Sequence, residues 1–377
     1  MTMIACTMNK AAPVVIGDLL ISDSVKPDHF IIPALTGDVL QYLPTDSELH
    51  PIKLYQKIYI LKSNVCIAFA GKLFYIKQFL EDISIFCRAN DIVDSKKMNG
   101  FLEQCERDES WRHFSFLILV VDREVDHLGV GRFMHGEWMA AESEIFGEVF
   151  AAGSGSFDFL VETKQNAKLR TSYPPDDISY TLQVNIMMLC KLLASERLTL
   201  TSVKKHWGAG FEMIYFDGKQ FAKLDSITYV INQGIFNEVG DIPEVPVPGV
   251  ILHYKYYGEA LIITVIRTHK GTTQSTDTSY IITCKEFATM QFVVLPIGYT
   301  DTHKSQAFRA DPSFLSNRTA MAYIIETANG HYLPASFNIG SELEVKYEHQ
   351  KCVTITMMKG INDILVNEAK AVFPNFK

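Results

Sequence analysis

Apolar and polar positions along the chain follow two different periods. At the N-terminus, short apolar runs closed by turn residues predict strands over 3–8 and 13–21, joined at Asn9-Lys10. A second strand pair is predicted over 57–61 and 65–70, about a Lys62-Ser63-Asn64 turn, with Gly71 closing it. The stretch between the pairs, 22–51, is punctuated by Pro27, Pro33, Pro44 and Pro51 and reads as less regular. Beyond Gly71 the period lengthens. Leu73, Phe74, Ile76, Phe79, Leu80, Ile83 and Phe86 recur three and four residues apart, as on the buried stripe of a helix. A polar helix over 96–108 and strands over 114–121, 127–132 and 148–152 come next. Gly153-Ser154-Gly155-Ser156 then caps a helix over 157–168. After Pro174-Pro175, Asp176-Asp177 open a longer helix with the stripe Leu182, Ile186, Leu189, Cys190 and Leu193. Strands over 211–216 and 221–224 meet at Asp217-Gly218.

The order is strands, helix, strands, two helices, strands. That is an α+β arrangement, satisfied by two sheets packed face to face with helices on both outer sides. It lacks the strict strand–helix alternation of a Rossmann-type fold. The Glu244-Val245-Pro246-Val247-Pro248-Gly249 segment is stiff and poor at continuing a sheet, and it predicts a linker at 244–249. Domains are therefore expected at 1–243 and 250–377. The second is smaller and β-rich, with strands over 261–268, 279–283, 290–295, 321–327, 343–347 and 353–357 and a last helix over 360–372. No motif in it converts into chemistry.

Composition narrows the function classes. A length of 377 residues suits two domains, and 47% hydrophobic with 21% charged residues excludes global disorder. Against 35 basic residues stand 43 acidic ones, a net charge of -8 that opposes a general role on nucleic acid or an anionic membrane. The 7 cysteines are scattered without a C-x-x-C spacing, so they are expected to be reduced, buried and not metal-binding. No phosphate-loop, zincin or complete dinucleotide fingerprint occurs, and no cofactor is expected. No uninterrupted apolar run of about 18 residues and no basic leader is found, which predicts a cytoplasmic protein.

Chemistry concentrates at the beginning. Thr2 follows Met1 and is small enough for the initiator methionine to be removed in the cytosol. A free N-terminal threonine joins a nucleophilic hydroxyl to its own general base. The α-amine has a pKa of about 7.7–8, against roughly 10.4 for a lysine, so a useful fraction is neutral near neutrality.

Thr2-Met3-Ile4-Ala5, Val14-Val15-Ile16-Gly17-Asp18, the block from Lys57 to Gly71, and Gly153-Ser154-Gly155 occur in one order. That order resembles the proteasome-type N-terminal-nucleophile hydrolases, the 20S β-subunits and the HslV peptidase, over about residues 2–225. The resemblance implies a four-layer αββα sandwich and a threonine-type peptidase or amide hydrolase with Thr2 as nucleophile. Asp18 then falls on the family's acid and Lys57 on its lysine. Gly71 falls on the oxyanion-hole glycine and Ser154 on the serine of the G-S-G turn. Lys57 as an ammonium would depress the amine's pKa, and Asp18 would hold that lysine charged and oriented. The Gly71 N–H would meet the developing oxyanion, and Ser154 would hydrogen-bond the amine. The resemblance further implies a homo-oligomer built as a ring or stacked assembly, peptide or protein substrates, and an unfoldase or regulatory partner. The chain departs from the family at Lys204-Lys205-His206-Trp207-Gly208-Ala209-Gly210, where neither alignment of the glycines supplies the usual late Asp and Ser. The alternatives are a catalytically inactive proteasome-fold scaffold or sensor, and a small-amide hydrolase using the same nucleophile.

Overall fold

The computed structural model describes residues 2–35, 37–44, 46–105, 109–123, 128–165, 173–235, 249–268, 275–282, 318–326, 332–338, 343–348 and 352–357. The chain opens with β1 (Met3–Met8), β2 (Pro13–Asp18), β3 (Leu20–Asp23), β4 (His50–Leu54), β5 (Ile58–Lys62) and β6 (Val65–Gly71). Helices α1 (Leu73–Ala89) and α2 (Ser95–Cys105) follow, then β7 (Phe114–Arg123), β8 (Leu128–His135), β9 (Trp138–Ser143) and β10 (Gly147–Gly153). Next come α3 (Ser156–Gln165), α4 (Ile178–Thr199) and the short α5 (Thr201–Lys204), and then β11 (Phe211–Phe216), β12 (Phe221–Lys223) and β13 (Ile227–Ile235). The remaining strands are β14 (Val250–Tyr257), β15 (Ala260–Thr268), β16 (Ser275–Ile282), β17 (Thr319–Glu326), β18 (Tyr332–Asn338), β19 (Leu343–Glu348) and β20 (Cys352–Met357). This is a mixed α+β fold with several sheets.

Two of the sheets frame the N-terminal half. One has strand order β12-β11-β2-β1-β10-β9 and the other β5-β6-β7-β8, and every pairing in both is antiparallel. The period of two along each strand decides which residues meet. Ile4 and Cys6 of β1 share one apolar cluster with Cys66, Ala68 and Ala70 of β6 and with Leu117 and Leu119 of β7. The small residues on β6 let the two sheets approach closely there. The alternate residues Val65, Ile67 and Phe69 turn the other way and pack with Ile76, Phe79, Leu80 and Ile83 of α1. On the far side of the first sheet, Met3 and Ala5 join Phe159 of α3 and the length of α4.

Helix α4 differs from the one-stripe expectation. From Thr181 to Cys190 each of its residues is buried. The cause is a sheet on each side. Its cluster contains Val14, Ile16 and Met213 from the first sheet and Tyr229, Leu252, Ile263 and Ala320 from the C-terminal one. A helix buried all round needs no polar face. By length and composition alone α4 is apolar enough to cross a membrane, which the interrupted runs in the sequence did not suggest, and 72% of the qualifying window is buried inside the protein. Asp177 caps its N-terminus by accepting from Ser179 N at 2.7 Å.

The third large sheet has the order β16-β15-β14-β13-β17-β18, antiparallel except for the parallel pair β13–β17. Its strand β13 precedes the Pro-rich segment, so the hydrogen-bonded sheet changes just before Ile227 rather than at 244–249. Residues 244–248 of that segment, the expected strand at 290–295 and the expected helix at 360–372 lie outside the described residues. Cys6, Cys66, Cys87 and Cys190 are buried free thiols, and burial pushes Cys6 up to about 12 and Cys87 up to about 11.

Candidate active site

The site forms where β1 and β2 meet the start of β5. Asp18 is the last residue of β2 and is fully buried, so each carboxylate lone pair needs a donor. Its Oδ1 accepts from the Thr2 hydroxyl at 2.5 Å, from Met3 N at 2.8 Å and from Lys57 Nζ at 2.5 Å. Its Oδ2 accepts from Gly208 N at 2.8 Å. Four donors on one carboxylate make a strongly bound charge.

Lys57 is 5% exposed and also donates to Leu20 O at 2.5 Å. Burial draws its ammonium below the ordinary lysine value, while Asp18 and then Glu212 push the other way. Its backbone is anchored independently. Lys57 N and Ile58 N both donate to Glu212 Oε1, at 2.5 and 3.1 Å, and Phe69 N donates to Lys57 O at 3.0 Å.

Thr2, Lys57 and Gly71 line one small cavity, with Gln56, Tyr59 and Phe69 among its other walls. Its volume of about 20 Å³ has room for one water. Gly71 stands at φ +131°, and a Cβ there would lie 2.6 Å from His113 O and from Phe114 Cα. Only glycine fits this strand-to-helix turn. Across from it, the Ser154 hydroxyl donates to Thr2 O at 3.3 Å and to His206 O at 3.4 Å. The preceding Gly153, at φ +92°, would drive a Cβ into Thr2 O, so Thr2 is packed directly on this turn.

The structure thus brings Thr2, Asp18 and Lys57 into one hydrogen-bonded cluster. Gly71 is placed on the same cavity and Ser154 on the Thr2 carbonyl. Ser154 meets the Thr2 carbonyl where the sequence pointed to the amine. The divergent 204–210 loop reaches the site through its backbone, with Gly208 N on Asp18 and His206 O on Ser154.

Three contributors escaped the sequence reading. Glu212 is a charged residue inside the buried strand β11, a signal that a partner is buried with it. The sequence marks Gly208 only as part of the departing 204–210 stretch, with no role for its N–H. Glu196, near the end of α4, accepts from Ala209 N and from the Ser202 hydroxyl, both at 2.8 Å, and braces the loop that binds Asp18. Burial, with a smaller contribution from Asp18, raises the Glu196 carboxyl to about 7.

No protein-family model matches the chain, and no curated protein does. Among solved structures, the chain is similar to eukaryotic HslV from Trypanosoma brucei at 11% identity and a TM-score of 0.31, over 56% of this chain and 98% of that one.

Proposed function

We propose that the chain is an N-terminal threonine hydrolase of amide bonds, acting on peptides. The observation that carries this reading is the fully buried Asp18 carboxylate, which binds the Thr2 hydroxyl and the Lys57 ammonium at the same oxygen, each at 2.5 Å. In the same reading the α1–α2 layer, the two facing sheets and the α3–α4 layer constitute a four-layer αββα sandwich.

Removal of Met1 frees the Thr2 amine. That amine takes the hydroxyl proton while Oγ1 bonds to the substrate carbonyl carbon, and the resulting oxyanion is held by the Gly71 N–H. Collapse breaks the C–N bond, and the leaving amine carries off the proton. The remaining ester is opened by a water that the same amine deprotonates, which releases the acid and restores the hydroxyl. Lys57 keeps the amine neutral by like-charge repulsion, and Asp18 keeps Lys57 in place. Before processing, the hydroxyl is docked on Asp18, so the nucleophile is aligned ahead of its base. Self-assembly into a ring, with a chamber that limits access, belongs to the same proposal.

Intact mass and a threonine-directed epoxyketone test the chemistry together. Loss of one methionine and one adduct on Thr2, both abolished in Thr2→Ala, is the expected result. A full-length chain that takes no adduct would refute it. That outcome would support the scaffold reading, which is favoured by the absence of the family's late Asp and Ser from the 204–210 loop.

A further inference from the structure

We infer that the C-terminal sheet is a working part of the Thr2 site, with Tyr256 and the β14–β15 turn acting as positioning elements for Lys57. The inference rests on the hydrolase reading for its kinetic consequences, though not for its geometry.

Lys57 is held from both sides of its position in the chain. On one side Gln56 Nε2 donates to Glu259 O at 2.7 Å, in the turn between β14 and β15, and to Ile282 O at 3.0 Å, at the end of β16. On the other, the Glu212 carboxylate that receives Lys57 N and Ile58 N is itself fixed at Oε2. That oxygen accepts from Lys223 Nζ at 2.5 Å and from the Tyr256 hydroxyl of β14 at 3.0 Å. Tyr256 is in turn seated by its N–H on Asp225 Oδ1 at 2.7 Å. Lys223 closes the network by donating to Ile58 O at 2.6 Å and to Gln56 Oε1 at 3.2 Å.

A lysine side chain is long and flexible, so where its ammonium rests depends on where its backbone is held. Here that backbone hangs on a buried carboxylate and a buried amide, and both are tied to the C-terminal sheet. Gln56 is also a wall of the cavity beside Thr2, so the same sheet shapes the space a substrate would enter. Without the sheet, Glu212 would lose one donor and Gln56 two acceptors, and the start of β5, still paired with β6, would be held less tightly against Asp18. That gives residues 250–282 a reason to be in this protein.

The test is Tyr256→Phe in the full-length chain, an isosteric change that removes one hydroxyl. Loosening Lys57 weakens its repulsion of the Thr2 amine, whose pKa then rises. The groups that decide this are Asp18 and Glu212 facing Lys57, Lys223 and the Tyr256 hydroxyl facing Glu212, and His206, whose ring is held below its ordinary value by burial and then by the N-terminal ammonium and His50. The expected result is a fall of about tenfold in kcat/KM, the scale of one hydrogen bond to a charged group. The acid limb of its pH profile should also move about half a unit upward. The Nζ-adjacent NMR signal of Lys57 should shift as well, with the melting curve still cooperative. A folded variant with wild-type kcat/KM, acid limb and lysine signal overturns the inference. Should the wild type neither turn over nor take label, the hydrolase reading fails on its own. The lysine signal then decides the positioning role: a shift supports it and an unmoved signal sinks it.

Discussion

Asp18→Asn is the most revealing single perturbation, because it keeps the side chain's shape and removes only its charge. The Lys57 ammonium, 5% exposed, loses its 2.5 Å counter-ion. Keeping it charged costs about 3–5 kcal/mol, as for breaking other buried pairs. Discharging it instead costs about 4.6 kcal/mol near neutral pH, from an ordinary lysine pKa of roughly 10.4 and about 1.36 kcal/mol per unit. The two routes are close, so neither offers an escape. The amide also brings a donor against the Gly208 N–H, for about 1–3 kcal/mol more. Flipping it only moves that conflict to the side where Thr2, Met3 and Lys57 all donate. The expected loss is about 5 kcal/mol, a large share of a typical domain's 5–15 kcal/mol.

The pH dependence identifies the cause. In the variant, burial acts on Lys57 without the opposing pull of Asp18, so its pKa falls further than in the wild type. A depressed lysine is neutral in the native state while the unfolded chain still binds its proton, up to about pH 10.4. The unfolded state therefore holds more protons, and the variant's stability rises with pH through that window. The gap to wild type should narrow from near neutral pH to about pH 10. Urea unfolding with linear extrapolation at both pH values measures it. Adding Lys57→Met to the variant should recover much of the loss, since no unpaired buried charge is left at the site. A gap under about 1 kcal/mol, or one that stays constant with pH, would refute the ion-pair argument.

The neighbouring geometry yields two more expected outcomes. Gly71→Ala forces a side chain into φ +131° against His113 O and Phe114 Cα, both 2.6 Å away, and is expected to cost on the order of 3 kcal/mol. A melting temperature within about 1 °C of wild type would contradict that. Glu196, 2% exposed and raised from 4.5 to about 7, holds a proton in the native state that the unfolded chain has already released. Its stabilising share is complete below its unfolded value and is lost as pH rises through its native one, a swing of about 3 kcal/mol. Glu196→Gln should therefore gain on the wild type between about pH 5 and pH 8 in urea titrations, and a parallel pair of stability–pH curves would rule this out.

The legible parts of the sequence were those where one physical rule acts alone. Short apolar runs closed by turn residues marked β1, β2, β6 and β11, which are buried on both faces, and the 3.6-residue stripe marked α1, which buries one. Thr2, Asp18 and Lys57 could be named because the order of their blocks resembles a known family, and the pairing of β1 with β2 and the packing of β5 against them bring the three together. The parts that stayed hidden were set by contacts remote in sequence. β9 buries none of its residues, so no buried face marks it, and it is held by pairing with β10. The start of α4 was visible, but not that its second side lies against a sheet built from residues far down the chain. Glu212 and Gln56 gave no motif, since their role exists only once β11, β12 and β14 have assembled around β5.

A buried ion pair, Asp18–Lys57, and a part-buried one, Glu212–Lys223, stand side by side in this protein, and comparing them separates the proposed chemistry from support. Replacing a buried pair by well-packed apolar side chains is often neutral or stabilising, so stability alone is a weak reason to keep either. Glu212–Lys223 is saturated. Both carboxylate oxygens are filled by backbone amides, the lysine and Tyr256, and neither residue lines the cavity beside Thr2. Its product is the fixed position of β5. Asp18–Lys57 is different in one respect that matters: its carboxylate also binds a hydroxyl, and both that hydroxyl's residue and the lysine line the small cavity. A pair that touches the Thr2 hydroxyl and a cavity is where the proposed chemistry would act, whereas the other has only a strand to hold. The two are linked through Lys57 itself, whose side chain belongs to the first pair and whose backbone N–H belongs to the second. Damage to the supporting pair should therefore be read out at the first, as misplacement of the ammonium rather than as loss of the fold.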